Sequence, residues 1–376
     1  MKTHYKLEGT PNSPVLVFSN SLGSNLTMWD DLVPLLLPYF RILRYDTRGH
    51  GQSTVTEGEY DIALLANDVI QLTNDLGIDK FAFCGLSMGG LIGQYLGIHY
   101  GDHLTHLILS NTGAKIGDEA RWKERAERIT KEGTQGMAQE TMSRWFSDSF
   151  CASNPQKVQQ MSEMFAASSD PGYISCCSVL RDADFRTSLK TIDVPTLVIT
   201  GEVDPVTNVE QAEFIVSQIK QAQLCIIPAT KHLCATENPR LYVEQLLNFI
   251  IGSSKKERGM HIRRTVLGAA HVDRSTAAKN EFNADFQEFI TEYAWGEIWA
   301  RPGITKSQKS YVTLAVLIAL NRKDEFKMHV RAAFNNGLTQ NEIKEIIMHS
   351  SIYCGLPAAN EAIHLAEEIF SQLRND

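Results

Sequence analysis

The sequence predicts a doubly wound α/β fold with a mostly parallel sheet, followed by an all-helical domain. Up to about residue 250, short and almost continuously apolar runs alternate with helical patterns, as expected for parallel strands buried on both faces. Beyond residue 259 the pattern is helical throughout, and Thr305 and Thr339 open segments of capping-box form. The charged segment 253–258 (SSKKER), which has no apolar residue, lies between the two regions.

The domain boundaries follow from these patterns. The first domain is predicted to span residues 1–252, with six candidate strands at Val15–Ser19, Arg41–Tyr45, Phe81–Cys84, Leu104–Ser110, Thr196–Thr200 and Gln223–Ile227. Within it, residues 114–185 show helical periods and no convincing strand, so we expect a helical cap over the functional site. Residues 253–258 are the predicted linker, and residues 259–376 are the predicted helical domain. With 376 residues, the chain is long enough for two cores.

Composition argues against several classes of function. The chain is 43% hydrophobic and 21% charged, which is typical of soluble globular proteins. No apolar run reaches the ~18 residues of a membrane span, and the N-terminus lacks the apolar core of a signal peptide, so we expect a cytoplasmic protein without a membrane partner. The net charge of −8 argues against a nucleic-acid partner. Seven irregularly spaced cysteines fit reduced thiols better than a disulfide framework.

The segment Gly85–Gly89 (GLSMG) predicts a nucleophilic serine. It follows the apolar run that ends at Cys84 and precedes a helical run, and G-x-S-x-G in this context is the nucleophile elbow of α/β hydrolases. The glycines permit a tight turn that lifts Ser87 above the sheet. A chance Gly/Ser turn is the alternative, which the strand–turn–helix context disfavours. We therefore expect the α/β hydrolase fold, with Ser87 as nucleophile.

Two partners of Ser87 should follow it in the order acid, then histidine. Asp204 comes directly after a predicted strand, at the carboxyl edge where α/β sheets carry functional groups. Glu202 is a rival acid, but an Asp-Pro turn would project Asp204 past the strand end. His232 lies in the loop after the last strand and is the predicted base, with Asp204 fixing its tautomer.

An oxyanion hole requires two backbone N–H donors. Met88, next to the nucleophile, is one predicted donor. Leu22, in the loop after the first predicted strand, is the other; it is assigned by position, since this loop lacks the usual His-Gly pair. In the stretch 45–53 (YDTRGHGQS), Asp46 and Arg48 are predicted to be structural rather than catalytic.

Together, the segments 19–23 (SNSLG), 46–53 and the elbow, with Asp204 and His232, resemble the 3-oxoadipate enol-lactonases. These α/β hydrolases open a five-membered enol-lactone in the β-ketoadipate pathway. The cap dipeptide Arg121-Trp122 and the tripeptide 144–146 (RWF) are similar to that family's cap motifs. Because the lactone carries a carboxylate, the resemblance implies a cap arginine beside an aromatic ring as substrate contacts. Arg121 and Trp122 are the candidates; the alternative is an amphipathic helix with an exposed arginine.

In the helical domain, Glu325 and His329 stand at positions i and i+4, where a carboxylate can orient a histidine and raise its pKa. Such pairs are commonly plain surface contacts. The surrounding segments, however, resemble the 4-carboxymuconolactone decarboxylases over essentially the whole domain. They are 259–264 (GMHIRR), 270–274 (AHVDR), 293–303 (YAWGEIWARPG) and 353–360 (YCGLPAAN).

This second resemblance implies cofactor-free decarboxylation, which needs arginine anchors for carboxylates and a proton donor. The anchor candidates are Arg264, Arg274 and Arg301. His329 with Glu325 is the proposed acid, and His271 is the alternative.

The domain also resembles, more distantly, the alkylhydroperoxidase-like helical proteins, which use a C-x-x-C thiol pair. Cys354 stands in the place of such a thiol and is a candidate substrate contact. No second cysteine lies nearby, which argues against peroxidase chemistry. We expect no metal either, because the His and Cys residues lack zinc-like spacing.

The two resemblances imply a bifunctional enzyme of protocatechuate catabolism. The helical domain would decarboxylate 4-carboxymuconolactone to 3-oxoadipate enol-lactone, and the serine hydrolase domain would hydrolyse that product to 3-oxoadipate. The expected ligands are small carboxylated lactones, and we expect a homo-oligomer assembled through the helical domain. Two alternatives stay open: a generic carboxylesterase or cofactor-free haloperoxidase, and a helical domain that only oligomerises the hydrolase.

Overall fold

The computed structural model describes residues 2–374. Within these residues the chain divides into two compact units. Unit 1 comprises residues 2–7, 14–33 and 42–246, and unit 2 comprises residues 8–13, 34–41 and 247–374. None of the helices in this range is long and apolar enough to cross a membrane.

Unit 1 is built around a seven-stranded sheet, which confirms the predicted α/β hydrolase fold. Its strands are β1 (Tyr5–Glu8), β2 (Val15–Ser19), β3 (Arg41–Tyr45), β4 (Phe81–Leu86), β5 (Leu104–Ser110), β6 (Thr196–Gly201) and β7 (Ala222–Ile227). They are ordered β1-β3-β2-β4-β5-β6-β7, and β2, β4, β5, β6 and β7 pair in parallel. All six residues of β4 are buried, as its apolar sequence predicts. Strand β1 was not predicted, because it is short, half exposed and polar.

Helices lie between and after these strands along the chain. They are α1 (Val33–Leu36), α2 (Ile62–Asp75), α3 (Met88–His99), α4 (Glu119–Gly136), α5 (Ala138–Trp145), α6 (Asp148–Ser153), α7 (Pro155–Ala166), α8 (Asp170–Asp182), α9 (Val209–Gln218), α10 (Cys234–Glu237) and α11 (Pro239–Ile250). Of these, α1 falls almost wholly in segment 34–41 of unit 2. Short 3₁₀ turns lie at Leu26–Trp29, Gly101–His103 and Leu189–Thr191. Five helices, α4 to α8, fill the interval between β5 and β6 and form the cap.

The cap approaches the loops at the carboxyl edge of the sheet through glycines. A Cβ on Gly172 of α8 would lie 2.0 Å from the carbonyl oxygen of Gly49, and one on Gly23 would lie 2.5 Å from the ring of Phe165. Side chains at either glycine would therefore push the cap away from the loops that follow β2 and β3.

Unit 2 is helical, as the sequence pattern predicts. Its elements are α12 (Lys255–Leu267), α13 (Ala269–Ala277), α14 (Ala284–Ile290), a π-helix (Thr291–Trp299), α15 (Lys306–Ala319), α16 (Lys323–Asn335), α17 (Gln340–Cys354) and α18 (Leu356–Leu373). The two predicted capping boxes are confirmed, with Thr305 paired to Gln308 and Thr339 to Glu342. Buried side chains of α15 to α18, such as Leu314 and Phe326, form its core.

The segment predicted as a linker differs in the structure. Ser254 and Glu257 form a capping box, so residues 255–258 are the first turn of α12. An exposed first helical turn and a linker are both polar and charged, and composition alone does not separate them. The division into units also assigns residues 8–13 and 34–41 to unit 2, which no local pattern indicates.

Candidate active sites

Ser87 occupies the sharp turn between β4 and α3. Its φ is 58°, in the left-handed region that non-glycine residues rarely adopt. A Cβ on Gly85 would lie 2.0 Å from the carbonyl oxygen of Gly89, and one on Gly89 would lie 2.4 Å from that of Ser19. The turn is held because the Ser87 N–H donates to the Ser110 carbonyl at 2.9 Å. The glycines of the motif are therefore required by close backbone contacts.

His232 and Asp204 form a buried pair. The His232 Nδ1 lies 2.8 Å from the Asp204 Oδ2. That oxygen also accepts hydrogen bonds from the Thr207 hydroxyl at 2.8 Å and the Asn111 amide at 3.0 Å. Burial alone would raise the pKa of Asp204, but the charge of His232 and these hydrogen bonds outweigh burial and lower it. The carboxylate therefore stays ionised and favours a proton on Nδ1. The rival acid, Glu202, instead accepts the backbone N–H of Ala229 at 2.8 Å.

The two predicted oxyanion donors lie on segments whose neighbouring N–H groups are occupied. The Gly89 N–H donates to the Asn20 carbonyl at 3.1 Å, and the Gly23 N–H donates to a ring nitrogen of His50 at 3.0 Å. Within residues 2–374, the N–H groups of Leu22 and Met88 have no acceptor. Both N–H groups are thus available to a bound ligand.

Ser87, His232 and Leu22 line one cavity of about 240 Å³, whose opposite wall is the cap. The cap contributes a concentration of arginines to it: Arg121, Arg125, Arg128 and Arg144. Trp122 is buried and donates from its indole N–H to the Ile116 carbonyl at 2.5 Å. The guanidinium of Arg121 lies 5.8 Å from the Trp122 ring and is exposed at the rim. Both predicted substrate contacts therefore face the cavity that contains Ser87.

Sequence reasoning missed Arg125, which is the buried arginine of this wall. Its Nε donates to the Tyr173 hydroxyl at 3.1 Å and its Nη2 to the Thr141 hydroxyl at 3.0 Å. Its Nη1 is buried and makes no hydrogen bond among the described residues; the nearest carboxylate oxygen, of Glu140, lies 3.7 Å away. Burial and the charge of Arg125 lower the pKa of Arg144. The spacing i, i+4 from Arg121 is the signal that places Arg125 on the same helix face.

In unit 2, His329 is a partly buried histidine of α16. Its Nδ1 makes no hydrogen bond within the described part of the chain, and its ring stacks on Trp299 at a centroid distance of 6.3 Å. Burial lowers the pKa of His329 to about 4; the nearby charge of Glu325 opposes this shift and that of His271 adds to it. Free His329 is therefore neutral at pH 7. Glu325 and His329 are one turn apart on α16, and the charge of His271, on α13, acts on the pKa of His329.

The three predicted arginine anchors of unit 2 differ in whether their guanidinium groups are already bound to a carboxylate of the protein. Arg264 is committed to Asp273, with nitrogen–oxygen distances of 2.6 and 3.2 Å. Arg274 is exposed beside His271: burial lowers the pKa of that histidine and the charge of Arg274 lowers it further. Arg301 is exposed, in the loop after the π-helix. Of the three arginines, Arg274 is the one that shares helix α13 with His271 and acts on the pKa of that histidine.

Cys354 does not share the surroundings of the histidines. Its thiol donates to the Ser350 carbonyl in its own helix at 2.9 Å, and its side chain packs against the core of unit 2. Among residues 2–374, no three His, Cys, Asp or Glu side chains are grouped closely enough to hold a metal ion.

Comparisons with known proteins divide the chain in the same way. Residues 14–239 match the alpha/beta hydrolase fold family, and residues 284–368 match the Carboxymuconolactone decarboxylase family. The 3-oxoadipate enol-lactonase 2 of Acinetobacter baylyi is 40% identical over 239 residues, which are 64% of this chain and 89% of that protein. The 4-carboxymuconolactone decarboxylase of the same organism is 55% identical over 117 residues, 31% of this chain and 87% of that protein. The solved enol-lactonase of Burkholderia xenovorans LB400 has a TM-score of 0.65 and 35% identity, covering 66% of this chain and 96% of that one.

Proposed function

This chain belongs to the alpha/beta hydrolase fold family and ends in a domain of the carboxymuconolactone decarboxylase family, and from this premise we propose a bifunctional enzyme of protocatechuate catabolism. Unit 2 decarboxylates 4-carboxymuconolactone to 3-oxoadipate enol-lactone, and unit 1 hydrolyses the enol-lactone to 3-oxoadipate. One observation carries the proposal. Two consecutive segments of a single chain match 89% and 87% of two relatives that are named for these two activities.

The hydrolytic step assigns one role to each group that lines the cavity of unit 1. The Ser87 Oγ attacks the lactone carbonyl while His232 accepts its proton, and Asp204 stabilises the imidazolium. The N–H groups of Leu22 and Met88 donate to the oxyanion. The ring C–O bond then breaks and the enolate leaving group becomes a ketone on protonation. Water activated by His232 releases 3-oxoadipate from the acyl-enzyme.

The arginines of the cap select a carboxylated lactone. The buried Nη1 of Arg125 has no hydrogen bond in the described chain, and a substrate carboxylate would satisfy it. Arg121 lies at the rim, where it attracts the same group. A generic carboxylesterase gains nothing from desolvating a guanidinium in its acyl site, so this wall favours the enol-lactonase over that alternative.

The decarboxylation step in unit 2 needs no cofactor. The bond between the ring carbon and its carboxylate breaks, and the electron pair passes into the conjugated ring carbonyl as a dienolate. His329 then protonates the dienolate on carbon. A substrate carboxylate beside the ring favours the imidazolium, as Glu325 does in the free protein, so His329 gains its proton on binding. Arg274 anchors the spared carboxylate.

Unit 2 also presents an apolar face that supports self-association. This face consists of Val312 and Val316 on α15, Leu320 directly after that helix, and Met348, Ile352 and Tyr353 on α17; Ile352 and Tyr353 are 79% and 80% exposed. Contiguous exposed apolar surface of this kind marks interaction sites. We infer that a second copy of this chain covers it. Ile352→Glu should shift the mass measured by sedimentation toward the monomer, and an unchanged mass would contradict the inference.

Substrate preference tests the proposed function directly. The purified chain should consume both 4-carboxymuconolactone and 3-oxoadipate enol-lactone, and it should open the enol-lactone with a much higher kcat/KM than it hydrolyses the neutral ester p-nitrophenyl acetate. Equal efficiency on the neutral ester, without release of carbon dioxide from 4-carboxymuconolactone, would contradict the proposal and support the generic carboxylesterase instead.

A further inference from the structure

His50, in the loop that follows β3, is a buried histidine outside the catalytic pair. It is 1% exposed, and both ring nitrogens have backbone partners. The Nε2 lies 3.0 Å from the backbone nitrogen of Gly23, and the Nδ1 lies 3.3 Å from the carbonyl oxygen of Arg48. Since the Gly23 N–H is a donor, the Nε2 must accept. The proton therefore sits on Nδ1, where it donates to the Arg48 carbonyl.

This arrangement requires a neutral ring. An imidazolium carries a proton on both nitrogens and cannot accept from Gly23. Burial lowers the pKa of His50, while the hydrogen bond to Arg48 and the charge of Asp46 act in the opposite direction with less effect. Burial thus keeps the His50 ring neutral, and its two backbone partners select the tautomer that can hold the Gly23 N–H.

The contact matters because Gly23 directly follows Leu22. The Gly23 N–H belongs to the same peptide plane as the Leu22 carbonyl, so holding it restricts the ψ angle of Leu22. On the far side of the loop, the Ser24 N–H and hydroxyl both donate to the Ser21 carbonyl, at 3.2 and 2.8 Å. The loop cannot relax towards the cap either, because the ring of Phe165 abuts Gly23. Among residues 2–374, the hydrogen bond to His50 is the one that links the Leu22–Gly23 peptide to the β3 loop.

We propose that His50 is a positioning residue of the hydrolase: it holds the Leu22–Gly23 peptide and thereby keeps the adjoining Ser21–Leu22 peptide, which carries the Leu22 N–H, directed at the oxyanion. The proposal rests on the proposed function of unit 1. His50 does not itself line the cavity, and it acts through the loop. Its ring lies 6.5 Å from the ring of Tyr173, which does line the cavity. Because an oxyanion donor is used in the transition state, loss of His50 lowers kcat and leaves KM nearly unchanged.

Two substitutions distinguish the effect of the hydrogen bond to Gly23 from the effect of the volume that the His50 ring fills. His50→Gln keeps an acceptor at the ε position for the Gly23 N–H, whereas His50→Leu fills much of the same volume without one. We expect His50→Leu to lower kcat for enol-lactone opening by about 10- to 100-fold, less than the full loss of a donor, with KM within about twofold of the wild type. His50→Gln should retain kcat within about threefold. His99→Leu, at an exposed histidine of α3, is the matched control and should match the wild type.

The outcomes distinguish positioning from folding and from a wrong substrate. Equal losses in His50→Gln and His50→Leu, or a rise in KM at constant kcat, would overturn the proposal, as would a wild-type kcat in folded His50→Leu. Thermal unfolding confirms that each variant is folded. If the wild type fails to open the enol-lactone, the proposed function fails, and the same comparison is then made on Ser87-dependent hydrolysis of p-nitrophenyl acetate.

Discussion

The candidate sites of the two units differ in how completely this chain builds them. In unit 1, His232 has a carboxylate partner at 2.8 Å and shares a cavity with Ser87. In unit 2, the Nδ1 of His329 makes no hydrogen bond among the described residues, and Arg301 is exposed. His232 is buried, whereas His329 is only partly buried.

The chemistry proposed for each unit accounts for the contrast. A serine nucleophile requires a base, an acid and two oxyanion donors in register before the substrate arrives. In a decarboxylation, the electron pair comes from the bond that breaks. The negative charge of the carboxylated substrate can also raise the pKa of the histidine, so that it gains a proton. Removing a preorganised partner in unit 1 should therefore cost far more activity than removing the corresponding carboxylate in unit 2.

The largest expected effect is that of Asp204→Asn on enol-lactone hydrolysis. An amide favours the wrong tautomer of His232, so kcat should fall by about 10⁴-fold, as in serine hydrolases with the same arrangement. Steady-state kinetics on the enol-lactone measures it. The matched control is Glu202→Gln, at the rival acid, which should change kcat by less than about threefold. If Glu202→Gln lowered kcat more than Asp204→Asn does, Glu202 and not Asp204 would be the acid that orients His232.

His329→Gln should lower the rate of carbon dioxide release from 4-carboxymuconolactone by about 10²- to 10⁴-fold, the usual range for a proton donor. Glu325→Gln should lower it by less than about tenfold, because Glu325 is exposed and only opposes the effect of burial on His329. Enol-lactone hydrolysis, followed in the same preparations, should be unchanged in both. Normal decarboxylation by His329→Gln would move the proton donor elsewhere, with His271 as the first candidate.

Arg125→Met should reduce kcat/KM for the enol-lactone by about 10- to 100-fold, since a charge-assisted hydrogen bond contributes about 1.5–3 kcal/mol. Hydrolysis of p-nitrophenyl acetate, which has no carboxylate, should change much less. Arg181→Met is the control, because that guanidinium binds Glu59 and Asp182 outside the cavity. Equal losses on both substrates would assign Arg125 a purely structural role in the cap.

The last prediction concerns the pH dependence of stability. The free energy of unfolding should change in the alkaline range for unit 2 and in the acid range for unit 1. Burial lowers the pKa of Lys306 in unit 2 from 10.5 to about 7, and its amine donates to the Ser13 hydroxyl rather than to a carboxylate. Between these values the unfolded chain binds a proton that the native state lacks. Lys306 should therefore make the free energy of unfolding of unit 2 rise with pH from about 7 to 10.5, by at most about 1.4 kcal/mol per pH unit. Lys309, whose pKa burial lowers to about 8, should add to this rise above that pH.

Urea unfolding followed by circular dichroism across this pH range measures the slope, and Lys306→Met should flatten it. A slope that is the same in Lys306→Met would contradict the assignment. In unit 1 the pKa of Asp204 is lowered instead, so its contribution to stability is present near neutral pH and is lost as the pH falls through the acid range.

Local requirements explain which parts of the molecule could be predicted. The elbow can be predicted from the sequence because its close contacts join residues a few positions apart. The contact between Gly85 and Gly89, for example, leaves no room for a side chain, so both positions must be glycine. The positions of Asp204 and His232 can be predicted because the carboxyl ends of parallel strands lie at the same edge of the sheet. The capping boxes at Thr305 and Thr339 depend on hydrogen bonds three residues apart.

The features that sequence reasoning missed depend on contacts between distant segments. Arg125 becomes significant only when the cap folds over Ser87. His50 and Gly23 are 27 positions apart, and no periodic pattern connects them. The first turn of α12 was taken for a linker because its exposed face has the composition of one. The assignment of residues 8–13 and 34–41 to unit 2 likewise depends on tertiary contacts.

One measurement tests the central claim, that a single chain performs two consecutive reactions at two separate sites. 4-Carboxymuconolactone is supplied to the wild type, to Ser87→Ala and to His329→Gln, and carbon dioxide and 3-oxoadipate are followed together. The wild type should form both in equal amounts. Ser87→Ala should release carbon dioxide at the normal rate and accumulate the enol-lactone, whereas His329→Gln should form little of either product but still open added enol-lactone. Normal formation of 3-oxoadipate by Ser87→Ala, or loss of both activities in each variant, would contradict the account.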